Sequence, residues 1–224
     1  MKIDMHCHSY YSNDSIASPE ALFREAKKKG LDGIALTDHN TTKGWAEAEK
    51  AAGKTGMALI RGEEIKVKEN GRTIGEILAY FINKEISPKN KTIEQIVNEI
   101  KLQGGVAIIA HPYHWRKSFK YLEKYKNMCD GLEAFNSRSQ SAKGNINALA
   151  FALKNNLSMT AGSDCHSPNE AGLAYAEAVG VNSLGEFKNA ILKGETKIYG
   201  KQSPFYVQLF ATIGKVMHLF WQPK

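Results

Sequence analysis

Lys2-Ile3-Asp4-Met5-His6-Cys7-His8-Ser9-Tyr10-Tyr11-Ser12-Asn13-Asp14 stands at the start of the sequence and reads as a strand running into a polar turn. Side chains alternate faces along a strand, so His6 and His8 project together while Cys7 faces away. Two imidazoles on one face of a strand end, followed by the carboxylate of Asp14, supply part of a metal site if other strands bring the remainder. Alone, the same pair also serves as surface decoration.

The rest of the sequence decides between these readings. Gly33-Ile34-Ala35-Leu36-Thr37 is a short apolar run ending in Asp38-His39-Asn40, and Met57-Ala58-Leu59-Ile60 continues through Gly62-Glu63-Glu64-Ile65 to Val67. Asn70-Gly71 is a strong hairpin signal, so residues 73–81 are expected to return beside that strand. Val106-Ala107-Ile108-Ile109-Ala110 ends in His111-Pro112, and Ser158-Met159-Thr160-Ala161 runs into Gly162-Ser163-Asp164-Cys165-His166. Between them, periodicity and capping residues predict helices over 18–30, 42–53, 92–103, 118–126, 141–155 and 183–194. A short strand is expected at Gly131-Leu132-Glu133-Ala134-Phe135-Asn136. Strands alternating with helices imply parallel βαβ units.

Polar placement favours a barrel over an open sheet. Five strands end on His6/His8, Asp38-His39, Glu64, His111 and Asp164/His166. In a βα barrel the C-terminal strand ends converge on one face, where sites are built. Unpartnered polar groups at that many strand tips would be costly, so the set reads as a metal centre. Cys7 and Cys165 alternate away from it and are expected to pack as small hydrophobes. Ligands drawn from His and carboxylate without sulfur suit Zn, Mn or Fe alike.

Composition narrows the function classes. With 224 residues and 42% hydrophobic content, the sequence fits a globular domain with a substantial core. Three cysteines without a Cys-x-x-Cys pair argue against a disulfide framework and for a reducing compartment. The sequence shows no basic-then-apolar leader and no apolar run long enough to span a membrane, so a cytoplasmic location is expected. The net charge of +7 is spread over helices, consistent with a lysine-rich surface or with an anionic substrate. No basic stretch interleaved with aromatics marks a nucleic-acid groove.

The series His6-x-His8, Thr37-Asp38-His39, Gly62-x-Glu64, Ala110-His111-Pro112 and Gly162-Ser163-Asp164-x-His166 resembles the PHP (polymerase and histidinol phosphatase) family, in order, from residue 2 to about residue 180. The resemblance implies an α/β fold, a distorted (βα)7 TIM-like barrel with its metal site at the C-terminal ends of the strands. It further implies two or three divalent ions and hydrolysis of a phosphate ester by a hydroxide bridging them. Carried over by motif, His6, His8, Glu64 and Asp164 hold one ion, and Glu64 bridges to a second that His111 also binds. Asp14, His39 and His166 hold a third, and Asp38 orients an imidazole. Many family members carry a His where Glu76 stands here; Glu76 is either a carboxylate ligand of the second ion or a solvated strand residue.

The substrate is expected to be a small phosphorylated molecule or a nucleotide, with an exonuclease-like role on nucleic acid or a non-catalytic metal-binding module as rival classes. The expected catalytic set is Glu64, Asp164, Arg138 and Asp38. Arg138, Lys143, Arg116 and His114 are the candidates for binding substrate, Arg138 first because guanidinium meets phosphate bidentately. Residues 1–224 are read as a single domain. Its apolar C-terminal tail, 200–224, forms a helix ending in Leu219-Phe220-Trp221 that docks on the barrel or on another subunit rather than on a membrane.

Overall fold

A computed structural model describes residues 1–139 and 142–220. The expected helix start at Ser141 and the tail end at Trp221 lie outside the described residues. The apolar runs form β1 (Lys2–Cys7), β2 (Gly33–Leu36), β3 (Ala58–Glu69), β4 (Arg72–Tyr80), β5 (Val106–Ile109), β6 (Gly131–Asn136) and β7 (Ser158–Gly162). Two strands that periodicity did not announce follow, β8 (Ala174–Glu177) and β9 (Lys197–Gly200). The helices are α1 (Pro19–Lys28), α2 (Trp45–Thr55), α3 (Ile93–Leu102), α4 (Leu122–Tyr125), α5 (Ala142–Lys154), α6 (Leu184–Leu192) and α7 (Gln208–Phe220). Local chemistry explains several starts. Ser18 accepts from the Ala21 N–H at the head of α1, and Thr92 and Gln95 form a reciprocal capping box on α3.

The nine strands form one sheet in the order β7-β6-β5-β4-β3-β2-β1-β8-β9. At its site end the sheet nearly closes on itself. The Asp164 N–H donates to the His6 carbonyl at 2.7 Å, the His8 N–H donates to the Cys165 carbonyl at 3.1 Å, and Cys7 and Cys165 form a parallel bridge. The fold is therefore the α/β, nearly closed barrel with surrounding helices that the motif order implied. It is not uniformly parallel. The Asn70-Gly71 turn sends β4 back between β3 and β5, antiparallel to both, and β8 and β9 are antiparallel as well.

Two apolar layers hold this arrangement. Inside the barrel, Ile3, Met5, Ile60, Leu78, Tyr80 and Ile108 pack together, closed at the bottom by Phe187 and Ile191 of α6. Outside, the opposite faces of the strands pack on α1, α2, α3 and α5, with Cys7 and Cys165 in that layer. Strict alternation would set His6 and His8 on the face opposite Ile3 and Met5. A register irregularity between Asp4 and Cys7, with Asp4 Oδ1 accepting the His6 N–H at 3.2 Å, changes the phase. Hydrophobes then fill the lower barrel and imidazoles the mouth of the same interior.

The helix expected over 118–126 is reduced to the single turn of α4. Residues before it are drawn into extended contacts: the Phe119 N–H donates to the Pro112 carbonyl and the Lys120 N–H to the Ile74 carbonyl on β4. The C-terminal α7 docks on the barrel mouth through Gly214 and His218 yet leaves Leu209, Val216, Leu219 and Phe220 exposed. Among the described residues no helix is long and apolar enough to cross a membrane.

Gly162 ends β7 against β1, and a Cβ there would lie 2.6 Å from the His6 nitrogen and overlap the His6 side chain. Gly162→Ala should therefore cost roughly 1–3 kcal/mol through overpacking, read as a lowered urea midpoint at constant m-value. Unchanged stability would contradict this close approach.

Candidate metal centre

The strand ends bring His6, His8, His39, His111, His166, Asp14, Glu64, Glu76 and Asp164 into one cluster at the barrel mouth. His6 Nε2 and His8 Nε2 are 3.0 Å apart, and Asp164 Oδ1 lies 3.6 Å from the first and 3.3 Å from the second. Glu64 sits between the remaining imidazoles. Its Oε1 is 2.9 Å from His111 Nε2 and its Oε2 is 2.6 Å from His39 Nδ1. Asp14 Oδ1 is 3.3 Å from His166 Nε2 and 3.5 Å from His39 Nε2. Glu76 Oε2 is 3.4 Å from His111 Nε2. Because β4 runs antiparallel, Glu76 reaches the cluster from mid-strand and is buried, so it is not a solvated strand residue. Cys7 and Cys165 face the outer core, as alternation required.

Partners outside the cluster fix where the imidazole protons sit. His6 Nδ1 lies 3.0 Å from Glu133 Oε1, a carboxylate that only accepts, so the ring proton belongs there. Ser12 donates its hydroxyl to Asp38 Oδ1 at 2.8 Å and must accept from His8 Nδ1 at 3.2 Å. His166 Nδ1 donates to the Asp164 carbonyl at 2.8 Å. Each assignment follows from the network and leaves an Nε2 lone pair pointing inward. Two lone pairs facing each other at the His6–His8 distance repel unless a cation lies between or beside them. Buried oxygens tell the same story: Asp14 Oδ1, Glu64 Oε2 and Glu76 Oε2 make no hydrogen bond despite the imidazoles around them. The donor set fits divalent metal ions, and three overlapping groups have the required convergence: His6/His8/Asp164, His8/His39/His166 and His39/Glu64/Glu76.

Electrostatics agree. Burial disfavours a charged His6, yet Glu133, Asp164 and Glu64 together hold its pKa well above the ordinary range. Burial and the His39 charge push His8 well below it. The two touching rings are thus driven in opposite directions, His6 by the carboxylates around it and His8 by burial and the neighbouring imidazoles. Burial pushes the Asp38 carboxyl up to about 6, against hydrogen bonds from Ser9 and Ser12.

Two backbone conformations show how the ligands are aimed. His111 and Asp164 have φ of 24° and 53°, in the left-handed region that side-chain-bearing residues avoid. Strain of this kind persists only where surrounding contacts over-determine the residue.

Other expected residues fall differently. Asp38 touches no imidazole directly; it acts through Ser12, which stands between it and His8. Arg138 is buried, but its guanidinium meets Glu170 at 3.2 Å and the Val207 carbonyl at 3.4 Å, so it is occupied rather than aimed at the cavity. Glu170 in turn accepts from the backbone N–H groups of His166 and Ser167, tying the pair to the loop that carries a ligand. Arg116 stacks on Trp115 at 4.0 Å, and Lys143 is exposed on α5. Neither lines the cavity beside Asp14 and His39, but Arg116 lines a smaller one together with Glu76, Lys66 and Lys117. His114 Nδ1 accepts the N–H groups of Arg116 and Lys117, and burial with the nearby His111 pushes its pKa down to about 4.

Sequence reasoning missed Glu133, Ser12, Lys66 and Lys117. Glu133 was the lone charge inside an apolar strand, a signal that could have found it. The lysines carried no such mark: Lys66 Nζ is 4.0 Å from Glu76 Oε1 and Lys117 Nζ 3.8 Å from Glu76 Oε2.

Comparison with known proteins is decisive on ancestry. The model of the PHP domain matches residues 4–218. The chain belongs to the PHP family. An uncharacterized protein of Methanocaldococcus jannaschii is 35% identical over 164 residues, 69% of this chain and 92% of the relative. A 5'-3' exoribonuclease of Haemophilus influenzae is 45% identical over 73 residues, 33% of this chain and 26% of the relative. Among solved structures, a two-domain Bacteroides vulgatus protein containing a PHP-like metal-dependent phosphoesterase superposes with a TM-score of 0.73 at 24% identity. That match covers 90% of this chain and 65% of that one. As a PHP barrel, the chain has a His/Glu/Asp cluster suited to divalent ions.

Glu133→Gln keeps the shape of the PHP centre but weakens the acceptor that fixes His6. It should lower metal affinity by about 10–100-fold, measured by chelator competition on the folded protein. Glu170→Ala leaves the Arg138 charge buried and unpaired and should cost roughly 3–5 kcal/mol in chemical denaturation. Wild-type stability there would show that Arg138 is free to turn elsewhere.

Proposed function

We propose that this chain is a metal-dependent hydrolase of phosphate esters, acting on a small molecule or a nucleotide. The observation that carries the reading is the inward-facing set of imidazole lone pairs and carboxylate oxygens, whose outer hydrogen bonds leave cations as their fitting partners. In this reading His6, His8, Glu64 and Asp164 hold one ion, and Glu64 with His111 and Glu76 a second. Asp14, His39 and His166 hold a third. The all-oxygen-and-nitrogen set suits Zn, Mn or Fe. Bound ions of this kind lower the pKa of a water toward about 7 and take up charge on phosphoryl oxygens.

The residues of the chain supply the rest. Glu64, touched by imidazoles on both oxygens, fixes the spacing of the donor groups. Glu133 and the Ser12–Asp38 pair hold His6 and His8 in their ligating tautomers. Lys117, at the edge of Glu76, is the cation best placed to meet a phosphoryl oxygen. It takes the part that Arg138, held by Glu170, leaves vacant. His114 keeps its proton on Nε2 and at neutral pH is an uncharged donor at the mouth. Asp38 and Arg138 thus act by positioning the loops of His8 and His166.

A second reading, phosphodiester cleavage in nucleic acid, is favoured by the likeness of one third of the chain to the exoribonuclease. A panel of phosphomonoesters, dinucleotides and single-stranded oligonucleotides, assayed with Mn and with Zn, separates the two. Chelation should abolish turnover and metal should restore it. Glu64→Gln should lower kcat by on the order of a hundredfold or more while the far-ultraviolet spectrum stays unchanged. Wild-type turnover by that variant would overturn the assignment of the centre.

A further inference from the structure

Docking on the barrel, expected of the C-terminal tail, uses one face of α7 only. Val207, at the head of the helix, and Ala211, Gly214 and His218 recur at the spacing of a single helix face, and all are buried or half-buried. Gly214 sits so near the Asp14 backbone that a Cβ would come within 2.6 Å of its carbonyl carbon, and His218 Nε2 lies 2.7 Å from the Tyr10 carbonyl. Beyond Val207, this stripe on the protein is small or polar.

The opposite face is apolar and bare. Leu209, Ile213, Val216 and Phe220 recur at the same spacing two residues out of phase, and all four are exposed. Met217 and Leu219 flank them, and Phe205 and Tyr206 extend the patch through the turn before the helix. An ordinary surface helix has the reverse arrangement, apolar toward the protein and polar toward water. Eight large apolar side chains exposed within residues 205–220 form a contiguous patch, which marks an interaction surface rather than scattered surface hydrophobes.

Charge selects what covers the patch. From residue 196 onward the sequence has lysines at 197, 201, 215 and 224 and no acid. Glu170, which reaches the start of the tail through Arg138, is buried and paired with that guanidinium. A second copy would bring the same basic segment, on a chain of net charge +7, against itself with no acid in the segment to answer the lysines. A layer of anionic headgroups over acyl chains answers both the lysines and the apolar stripe. With 13 residues α7 is about 20 Å long, too short to cross a hydrocarbon core of about 30 Å, so its fitting orientation is along the surface. Lys215 stands on the flank between the two faces, at the level of headgroups when the stripe enters the acyl region. We propose that the outward face of α7, with Phe205 and Tyr206, is a docking surface for an anionic lipid bilayer. The contacts of Gly214 and His218 then hold the cavity beside Asp14 and His39, about 640 Å³ in volume and lined also by Lys43 and Lys215, at the edge of that surface. Lipid docking does not depend on the phosphoesterase reading.

Vesicle co-sedimentation of the full chain is the test. Partition onto phosphatidylcholine vesicles containing about one third phosphatidylglycerol should exceed partition onto phosphatidylcholine alone by roughly tenfold or more, and raised ionic strength should remove that preference. Val216→Ser/Phe220→Ser should lower partition at least about tenfold. Both side chains are exposed, so the thermal midpoint of that variant without lipid should match the parent's. Lys201→Gln/Lys215→Gln should reduce the preference for anionic vesicles several-fold while the apolar stripe stays intact. No binding, equal partition onto both kinds of vesicle, or binding unchanged in Val216→Ser/Phe220→Ser overturns the proposal. A dimer in lipid-free sedimentation velocity that the same variant dissociates also overturns it, because the face then belongs to a second copy.

Discussion

The centre depends on hydrogen bonds that point away from it. Glu133, the Ser12–Asp38 pair and the Asp164 carbonyl each take the outer proton of one ring, on His6, His8 and His166 respectively. A neutral imidazole has one donor, so committing it outward leaves the inner nitrogen an acceptor. Once several rings are turned this way around buried carboxylates, the interior contains acceptors almost alone. Such a cavity is unstable as a hydrogen-bonded core and suited to cations. Specificity for metal thus resides as much in residues that never touch an ion as in those that would.

Bringing the acceptors together requires backbone that ordinary strands do not provide. The irregularity in β1 rephases His6 and His8 with the barrel interior, while Gly162 lets β7 approach β1 closely enough to close the sheet. His111 and Asp164 sit in left-handed conformations immediately after apolar strands. These features concentrate at the mouth, whereas the lower barrel is filled by Ile3, Met5, Ile60 and Leu78 in regular strands. Packing of the lower part offsets the strain and the polar burial of the upper part.

This division explains what was legible in the sequence. Strand-end motifs such as Ala110-His111-Pro112 are contiguous, so an apolar run and the ligand it aims can be read together. The order of these motifs carried the family and the barrel. Relations across elements were hidden. The pairing of Arg138 with Glu170 joins residues 32 apart and turns an apparent phosphate ligand into a brace. The one-turn α4 follows from hydrogen bonds to Pro112 and Ile74, which no helical periodicity over 118–126 records. Strands β8 and β9 are short and depend on the edge offered by β1. Lys215 reaches the cavity only because α7 folds back across the mouth.

Glu76 shows how one position reshapes its surroundings. The family's histidine at this place would add a neutral donor, whereas a buried carboxylate adds a full negative charge beside Glu64. Two like charges held close in a buried site repel each other unless opposite charge is nearby. Here Lys66 Nζ lies 4.0 Å from Glu76 Oε1 and Lys117 Nζ 3.8 Å from Glu76 Oε2, so opposite charge stands beside it. The carboxylate and its lysines are therefore one unit. The acid offers an oxygen of the harder kind that Mn or Fe would favour, and the ammonium groups beside it line the adjoining cavity. Glu76→His would exchange that oxygen for an imidazole nitrogen and leave both lysines without their partner, changing the charge of the adjoining cavity as well as the donor set.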